Sequence, residues 1–110
     1  MRQSQSAVLE RGAVLASVHE TEPFEVSWAG EARWFVVFLD EEPATTVSMQ
    51  VQVSPNGIQW VDHEAGPVET AAEGTVSIPV REFGHWLRLR TTSLSGDRAP
   101  RARIYLALKE

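Results

Sequence analysis

The sequence has no cysteine, a single tyrosine, and a single lysine, Lys109. Without cysteine, the chain cannot build a disulfide framework, a thiolate nucleophile or a cysteine-based zinc site. The longest apolar run, residues 34–39, is too short to cross a bilayer, and residues 1–10 contain no apolar run of signal-peptide length. We therefore expect a soluble protein without a signal peptide or membrane contact, whose cellular location is left open.

Signals for catalysis are also missing. The three histidines, His19, His63 and His85, fall in separate segments, and no nearby serine has the G-x-S-x-G context of a hydrolase. No glycine-rich phosphate loop follows a strand pattern, and a net charge of -5 argues against a nucleic-acid surface. We predict that the protein is not an enzyme, has no cofactor and does not bind nucleic acid.

The composition is that of an ordinary globular domain, with 43% hydrophobic and 23% charged residues in 110. This length is enough for one domain to bury a core of its own. We expect a single domain over residues 1–110, with residues 1–6 disordered. Residues 1–70 carry most of the acids and residues 71–110 are basic, but an antiparallel sandwich interleaves such halves, so the asymmetry need not become a surface patch.

Residues 46–60 give the clearest secondary-structure signal. Four apolar residues alternate with polar ones, the period of a strand with one face on a core. Pro55 then favours the second position of a type I turn, and Gly57 can adopt the left-handed conformation that closes a bulged hairpin. We predict that residues 58–61 return antiparallel. The inward positions are Val47, Met49, Val51 and Val53.

Similar patterns predict further strands along the chain, and no stretch has a persuasive helical period. A hairpin joins strands 24–28 and 32–39. Strand 32–39 is apolar on both faces and should lie centrally, whereas Pro79 confines strand 75–80 to a sheet edge or marks its end. About eight strands predict an all-β, antiparallel β-sandwich with jelly-roll connections. The predicted strands are 12–18, 24–28, 32–39, 68–72, 75–80, 85–92 and 103–109, with Leu87, Leu89, Ile104, Leu106 and Leu108 inward.

Two stretches carry a family resemblance. Residues 54–60 (SPNGIQW) resemble the S-x-[DN]-G-x-x-W hairpin of discoidin-like jelly-roll domains, also called factor 5/8 type C or galactose-binding-like. The same hairpin recurs in small β-sandwich modules of carbohydrate-binding and phage virion proteins. Residues 84–90 (GHWLRLR) are similar to the late strand of the discoidin family. The resemblance implies a galactose-binding-like jelly roll.

The aromatic residues divide into two groups. Trp28, Trp34 and Trp60 are expected in the core, with their indole N–H groups paired to a neighbour. Trp86 differs, because inward leucines on its strand place it on the outer face together with two arginines. On the last strand Tyr105 has the same orientation.

If these two strands were neighbours, their outer faces would form one platform suited to a sugar ring or another subunit. The alternative is that the N-terminal segment merely covers this face. The predicted ligand or partner surface consists of Trp86, Arg88, Arg90 and Tyr105.

Two acidic loop clusters are candidates for a metal site. Carboxylates from both clusters could converge on one Ca²⁺ ion in a jelly roll, although solvated loop charges explain them more simply. The candidate ligands are Asp40, Glu41, Asp62 and Glu64.

Two functions remain open from the sequence. The first is a non-catalytic structural or assembly module, such as a virion, tail or shell component, that packs as a homo-oligomer. The alternative is a discoidin-like module that binds a carbohydrate or another ligand.

Overall fold

The computed structural model describes residues 2–96 and 98–110, and within them the chain is entirely β-structure connected by turns. This confirms the predicted all-β class. No helix long and apolar enough to cross a bilayer occurs in the described part of the chain. The strands are β1 (Ser4–Val14), β2 (Val18–Glu20), β3 (Phe24–Glu25), β4 (Glu31–Phe38), β5 (Glu42–Ser54), β6 (Val61–Asp62), β7 (Val68–Ala72), β8 (Thr75–Val80), β9 (Trp86–Ser95) and β10 (Arg101–Lys109).

The strands form two antiparallel sheets that pack into a sandwich, as predicted. Sheet A has the order β1-β10-β4-β8. Sheet B has the order β2-β9-β5-β6, with β3 also pairing with β9 and β7 with β5. Late strands lie between early ones in both sheets, so the acidic and basic halves of the chain are interleaved. In sheet B, β2 and β3 share one strand position beside β9, and β6 and β7 share another beside β5. The jelly-roll connectivity stays a prediction.

The core lies between the two sheets and follows the alternation of the strands. On β5, Val47 and Met49 are fully buried and Val51 is nearly so, whereas Val53 is only partly buried. The leucines and the isoleucine predicted to point inward on β9 and β10 are all buried. This confirms which face of each strand is turned to the core. The largest fully buried side chains include Trp34, Leu15, Met49, Leu87, Leu89, Ile104, Leu106 and Leu108.

The positions predicted for β4 and β8 are confirmed. β4 lies between β10 and β8, and its inner face, including Trp34 and Val36, is fully buried. β8 is the edge of sheet A, and Pro79 pairs there with Arg33. Proline is tolerated at an edge because the missing N–H would have faced away from the sheet.

Two predicted details of the N-terminal third are wrong. β3 pairs with β9 in sheet B, so residues 24–28 do not form a hairpin with residues 32–39 in sheet A. Thr21 explains the pairing: its N–H donates to the carbonyl oxygen of Leu89, and its Oγ1 accepts from the N–H of Leu89, both at 3.0 Å. The chain is thus held against β9 between β2 and β3.

The first strand also begins earlier than predicted. β1 covers Ser4–Val14 and β2 begins only at Val18, so the predicted strand over residues 12–18 is interrupted at residues 15–17. Residues 4–6 pair with the end of β10. The expected disorder of residues 1–6 is therefore wrong for residues 4–6, whereas Met1 lies outside the described residues. A polar strand can form here because its ladder bonds to β10 do not depend on apolar side chains.

Candidate interaction surfaces

Trp86 and Tyr105 lie on opposite sides of the sandwich. Trp86 is on β9 in sheet B, and Tyr105 is on β10 in sheet A, between Val8 and Phe35. The predicted shared platform is therefore wrong, because β9 and β10 are not neighbours. Trp86, Arg88 and Arg90 do share the outer face of sheet B, since Leu87 and Leu89 between them are fully buried.

A row of polar side chains crosses the outer face of sheet B. Arg88 Nη2 lies 3.2 Å from Glu20 Oε2, and Arg88 Nε donates to Gln52 Oε1 at 2.7 Å. Gln52 Nε2 donates in turn to Asp62 Oδ1 at 2.9 Å. We call Glu20, Arg88, Gln52 and Asp62 the polar row. It links β2, β9, β5 and β6, so its hydrogen bonds stabilise one register of sheet B.

Trp60 covers the polar row. The Arg88 guanidinium lies over the Trp60 ring, 4.4 Å from its centroid, which is cation–π geometry. Trp60 is half-buried on the outer face of sheet B, so the prediction that it belongs to the core is wrong. Trp34 is fully buried as predicted, but its indole Nε1 has no hydrogen-bond partner among the described residues. Trp28 is partly buried and packs against the core.

The loop that carries Trp60 is held by its own side chains. Ser54 Oγ accepts from the N–H groups of Asn56 and Gly57, at 3.2 and 2.8 Å. Asn56 Oδ1 accepts from the next two amides, of Ile58 and Gln59, at 2.9 and 3.1 Å. These bonds occupy amides that the predicted return strand would have used, so β6 begins only at Val61 and the prediction of strand over residues 58–61 is mostly wrong.

The predicted left-handed glycine is present at the tip of this loop. Gly57 has φ of 78°, and its α-carbon faces the ring of Trp86. Two apolar side chains beside it are open to solvent: Ile58 is 76% exposed and Val61 62% exposed. We call the surface formed by Ile58, Trp60, Val61 and Trp86 the tryptophan-loop surface.

Sheet A carries a concavity of about 580 Å³ on its outer face, at one end of β4 and β8. Its apolar lining includes Phe35, Pro79 and Ala107. Arg33 is held in place because its Nη1 donates to Ser77 Oγ at 2.7 Å. Among the described residues, no carboxylate lies within 4.0 Å of the basic groups of this concavity. Its charged lining residues are Glu31, Arg33, Arg81, Glu82 and Lys109.

The four predicted calcium ligands do not come together. Asp40 and Glu41 directly precede β5. Asp62 pairs with Gln52, which lies near the opposite end of β5. The segment of β5 between residues 46 and 52 alone spans about 20 Å, at about 3.3 Å per residue. Convergence on one ion is therefore wrong, and no group of three or more metal-binding side chains was found in the described part of the chain.

Both aspartates have other partners, whereas the side chains of Glu41 and Glu64 are exposed. Asp62 accepts from Gln52 within the polar row. Asp40 Oδ2 accepts from Arg101 Nε at 2.8 Å, and this hydrogen bond together with the carboxylate charge raises the pKa of Arg101. Asp40 and Arg101 therefore form a surface ion pair.

Two of the three histidine side chains make structural contacts, in separate parts of the fold. His63 is buried, and its Nε2 lies 2.6 Å from the carbonyl oxygen of Arg81 while its Nδ1 accepts from the N–H of Ala65. His19 Nε2 lies 2.5 Å from Glu10 Oε2, whereas His85 is exposed. The sequence alone does not predict this contact of His63, because the residue stands there only as part of an acidic loop.

The fold and these surfaces define a small β-sandwich module. The chain belongs to the family described as Domain of unknown function (DUF6385), whose model matches residues 31–110. No curated protein matches the sequence.

Solved structures share the fold at low sequence identity. The PBSX exported protein XepA is 13% identical with a TM-score of 0.68, over 94% of this chain and 36% of that one. Dimeric latent PorU from Porphyromonas gingivalis is 13% identical with a TM-score of 0.52, over 99% of this chain and 13% of that one. These likenesses show the fold alone, and this chain spans much less than half of either protein.

A family two carbohydrate esterase from Cellvibrio japonicus is a weaker match, 8% identical with a TM-score of 0.47, over 99% of this chain and 34% of that one. A TM-score this low does not establish a shared topology. The first two neighbours support the predicted β-sandwich, and the discoidin-like assignment stays a prediction.

Proposed function

We propose that the chain is a non-catalytic assembly module, of the kind found in virions, tails or shells, that forms a homo-oligomer through the tryptophan-loop surface. The observation that carries this proposal is the exposure of Ile58. At 76% it is the most exposed large hydrophobic side chain among the described residues. An apolar side chain held in water on a fixed loop is stabilised when a partner covers it.

The surroundings of Ile58 support the same function. Trp60 belongs to the same loop, and Trp86 packs against Gly57, the residue next to Ile58. Interface centres are enriched in tryptophan. The loop is already fixed by the side chains of Ser54 and Asn56, so little conformational entropy is lost when it binds. Arg88 is already bonded within the polar row and lies over Trp60. We therefore expect the apolar side chains to make the direct contact with the partner subunit.

The proposal is tested by size-exclusion chromatography with light scattering over a range of protein concentrations. We expect the parent chain to form one closed oligomer, and Ile58→Ser with Val61→Ser to shift it to monomer while its circular dichroism spectrum stays that of the folded parent. Val18→Ser is the matched control, because Val18 is 49% exposed but lies away from this surface, opposite Thr92. A parent that stays monomeric at all concentrations contradicts the proposal.

A second candidate function is binding of a carbohydrate or another small ligand. The concavity on sheet A favours it, because its volume of about 580 Å³ falls in the range of about 300–1,000 Å³ that is typical of ligand sites. This site and the tryptophan-loop surface lie on opposite sheets, so variants can separate the two functions.

A further inference from the structure

We infer that the concavity on sheet A binds a carboxylated saccharide, that is, a glycan containing uronic acid. This inference rests on the second candidate function, ligand binding at the same concavity. The charges, the apolar lining and the backbone of the site indicate the class of ligand.

The charges of the concavity favour an anionic ligand. Arg33, Arg81 and Lys109 outnumber Glu31 and Glu82, and the three cations have no carboxylate within 4.0 Å in the described part of the chain. Cations without an internal partner are available to bind a ligand carboxylate through charge-assisted hydrogen bonds. Arg33 is already positioned by its hydrogen bond to Ser77.

The apolar lining suits a sugar ring. Phe35 lies on the outer face of β4, and Pro79 and Ala107 come from the flanking strands β8 and β10. An aromatic ring flanked by small apolar side chains offers a flat surface on which the C–H face of a pyranose can pack. Phe35 is only partly buried, so part of its ring is accessible.

The two carboxylates distinguish a saccharide from an acidic peptide. Glu31 and Glu82 can accept hydrogen bonds from hydroxyl groups but repel further carboxylates. A uronic acid offers hydroxyl donors beside its carboxylate, whereas the side chains of an acidic peptide offer only acceptors. The mixture of cations and carboxylates in one concavity therefore matches a hydroxylated acid.

The backbone that carries Glu82 is held on both sides. Glu82 has φ of 54°, in the left-handed region, and no other described residue except glycine has positive φ. His63 Nε2 contacts the carbonyl of Arg81, and Gly84 lies so close to Ser54 that a Cβ would be 3.0 Å from the Ser54 oxygen. The chain on both sides of Glu82 is thus tied down, and strained residues of this kind cluster at ligand sites.

The test is a titration of the full chain with tetragalacturonate, followed by NMR amide shifts and calorimetry, with galactotetraose as the neutral probe. We expect tetragalacturonate to bind, binding to weaken with salt, and the amides of β4 and β8 to shift. Arg33→Gln and Arg81→Gln should each weaken binding about tenfold or more, as the loss of one charge-assisted hydrogen bond predicts. Amide spectra of the free variants check that they fold.

Arg98→Gln is the control, because Arg98 is 80% exposed in its side chain and lies in the turn before β10. Equal loss of affinity in this variant overturns the site. If galactotetraose binds as tightly and shifts the same amides, ligand binding stands and the preference for an acidic sugar is wrong. If neither probe binds, this inference is wrong, and carbohydrate binding at the concavity is wrong with it.

Discussion

The ring of Trp86 lies directly against the α-carbon of Gly57. A Cβ on Gly57 would come within 3.2 Å of Trp86 Cδ2, and the φ of 78° at this glycine is itself unfavourable for other residues. Packing and backbone conformation therefore both favour glycine at the tip of the loop.

Gly57→Ala should destabilise the protein more than Gly66→Ala. Gly66 has φ of 84°, but a Cβ added there would have no atom within 4 Å, so alanine incurs only the left-handed cost of about 1–2 kcal/mol. At Gly57 an added Cβ would also have to displace the Trp86 ring by a few tenths of an ångström, and we expect this to add about 1 kcal/mol. Urea unfolding of both variants measures the difference. Equal midpoints would show that Trp86 does not pack against the loop.

Arg88→Ala should cost about 1–3 kcal/mol, because it leaves Oε1 of the buried Gln52 without its donor. Arg90→Ala is the control: Arg90 is 45% exposed and 3.8 Å from Glu20, so its loss should change stability by no more than about 0.5 kcal/mol. A double-mutant cycle with Trp60→Ala should give a coupling of about 0.5–1 kcal/mol for the cation–π contact. Additive effects of the Arg88 and Trp60 variants would exclude that contact.

Glu82→Gly should raise the free energy of unfolding by up to about 1 kcal/mol, because glycine adopts positive φ without the cost that glutamate bears. Glu73→Gly should act in the opposite direction and cost about 0.5–1 kcal/mol, since Glu73 has no positive φ and glycine only adds freedom to the unfolded chain. Chemical denaturation of the two variants shows whether each substitution raises or lowers the free energy of unfolding. A destabilised Glu82→Gly would show that the backbone at Glu82 is not strained.

Calcium should leave the melting temperature unchanged at millimolar concentration, and so should a chelator. An ion bound only by the native state would stabilise it by mass action, but Asp40 and Asp62 lie too far apart to share one. Differential scanning fluorimetry with calcium, magnesium and chelator makes the comparison. A rise specific to calcium would show that these loops bind it separately.

Local patterns predicted much of the fold. The alternation in β5, β9 and β10 identifies which side chains are buried, because side-chain direction in a strand has a period of two whatever the strand pairs with. Pro79 at an edge and Gly57 in a left-handed turn follow from the chemistry of single residues. The β-sandwich class follows from many short strands without a helical period.

Pairing between distant strands could not be predicted in the same way. Whether Trp86 and Tyr105 share a face depends on the sheet to which β9 and β10 belong, and alternation within a strand does not contain that information. The pairing of β3 likewise depends on hydrogen bonds between Thr21 and Leu89, which are far apart in the chain.

The sequence by itself determined most of the strands, the buried faces of β5, β9 and β10, and the glycine of the loop, since these depend on neighbours along the chain. Only the tertiary structure decided that Trp60 covers Arg88, that His63 supports the backbone at Arg81, and that strands β4, β8 and β10 line a concavity. Each of these contacts joins segments that are brought together by the order of strands in a sheet, and that order is set by packing and hydrogen bonding of the whole chain.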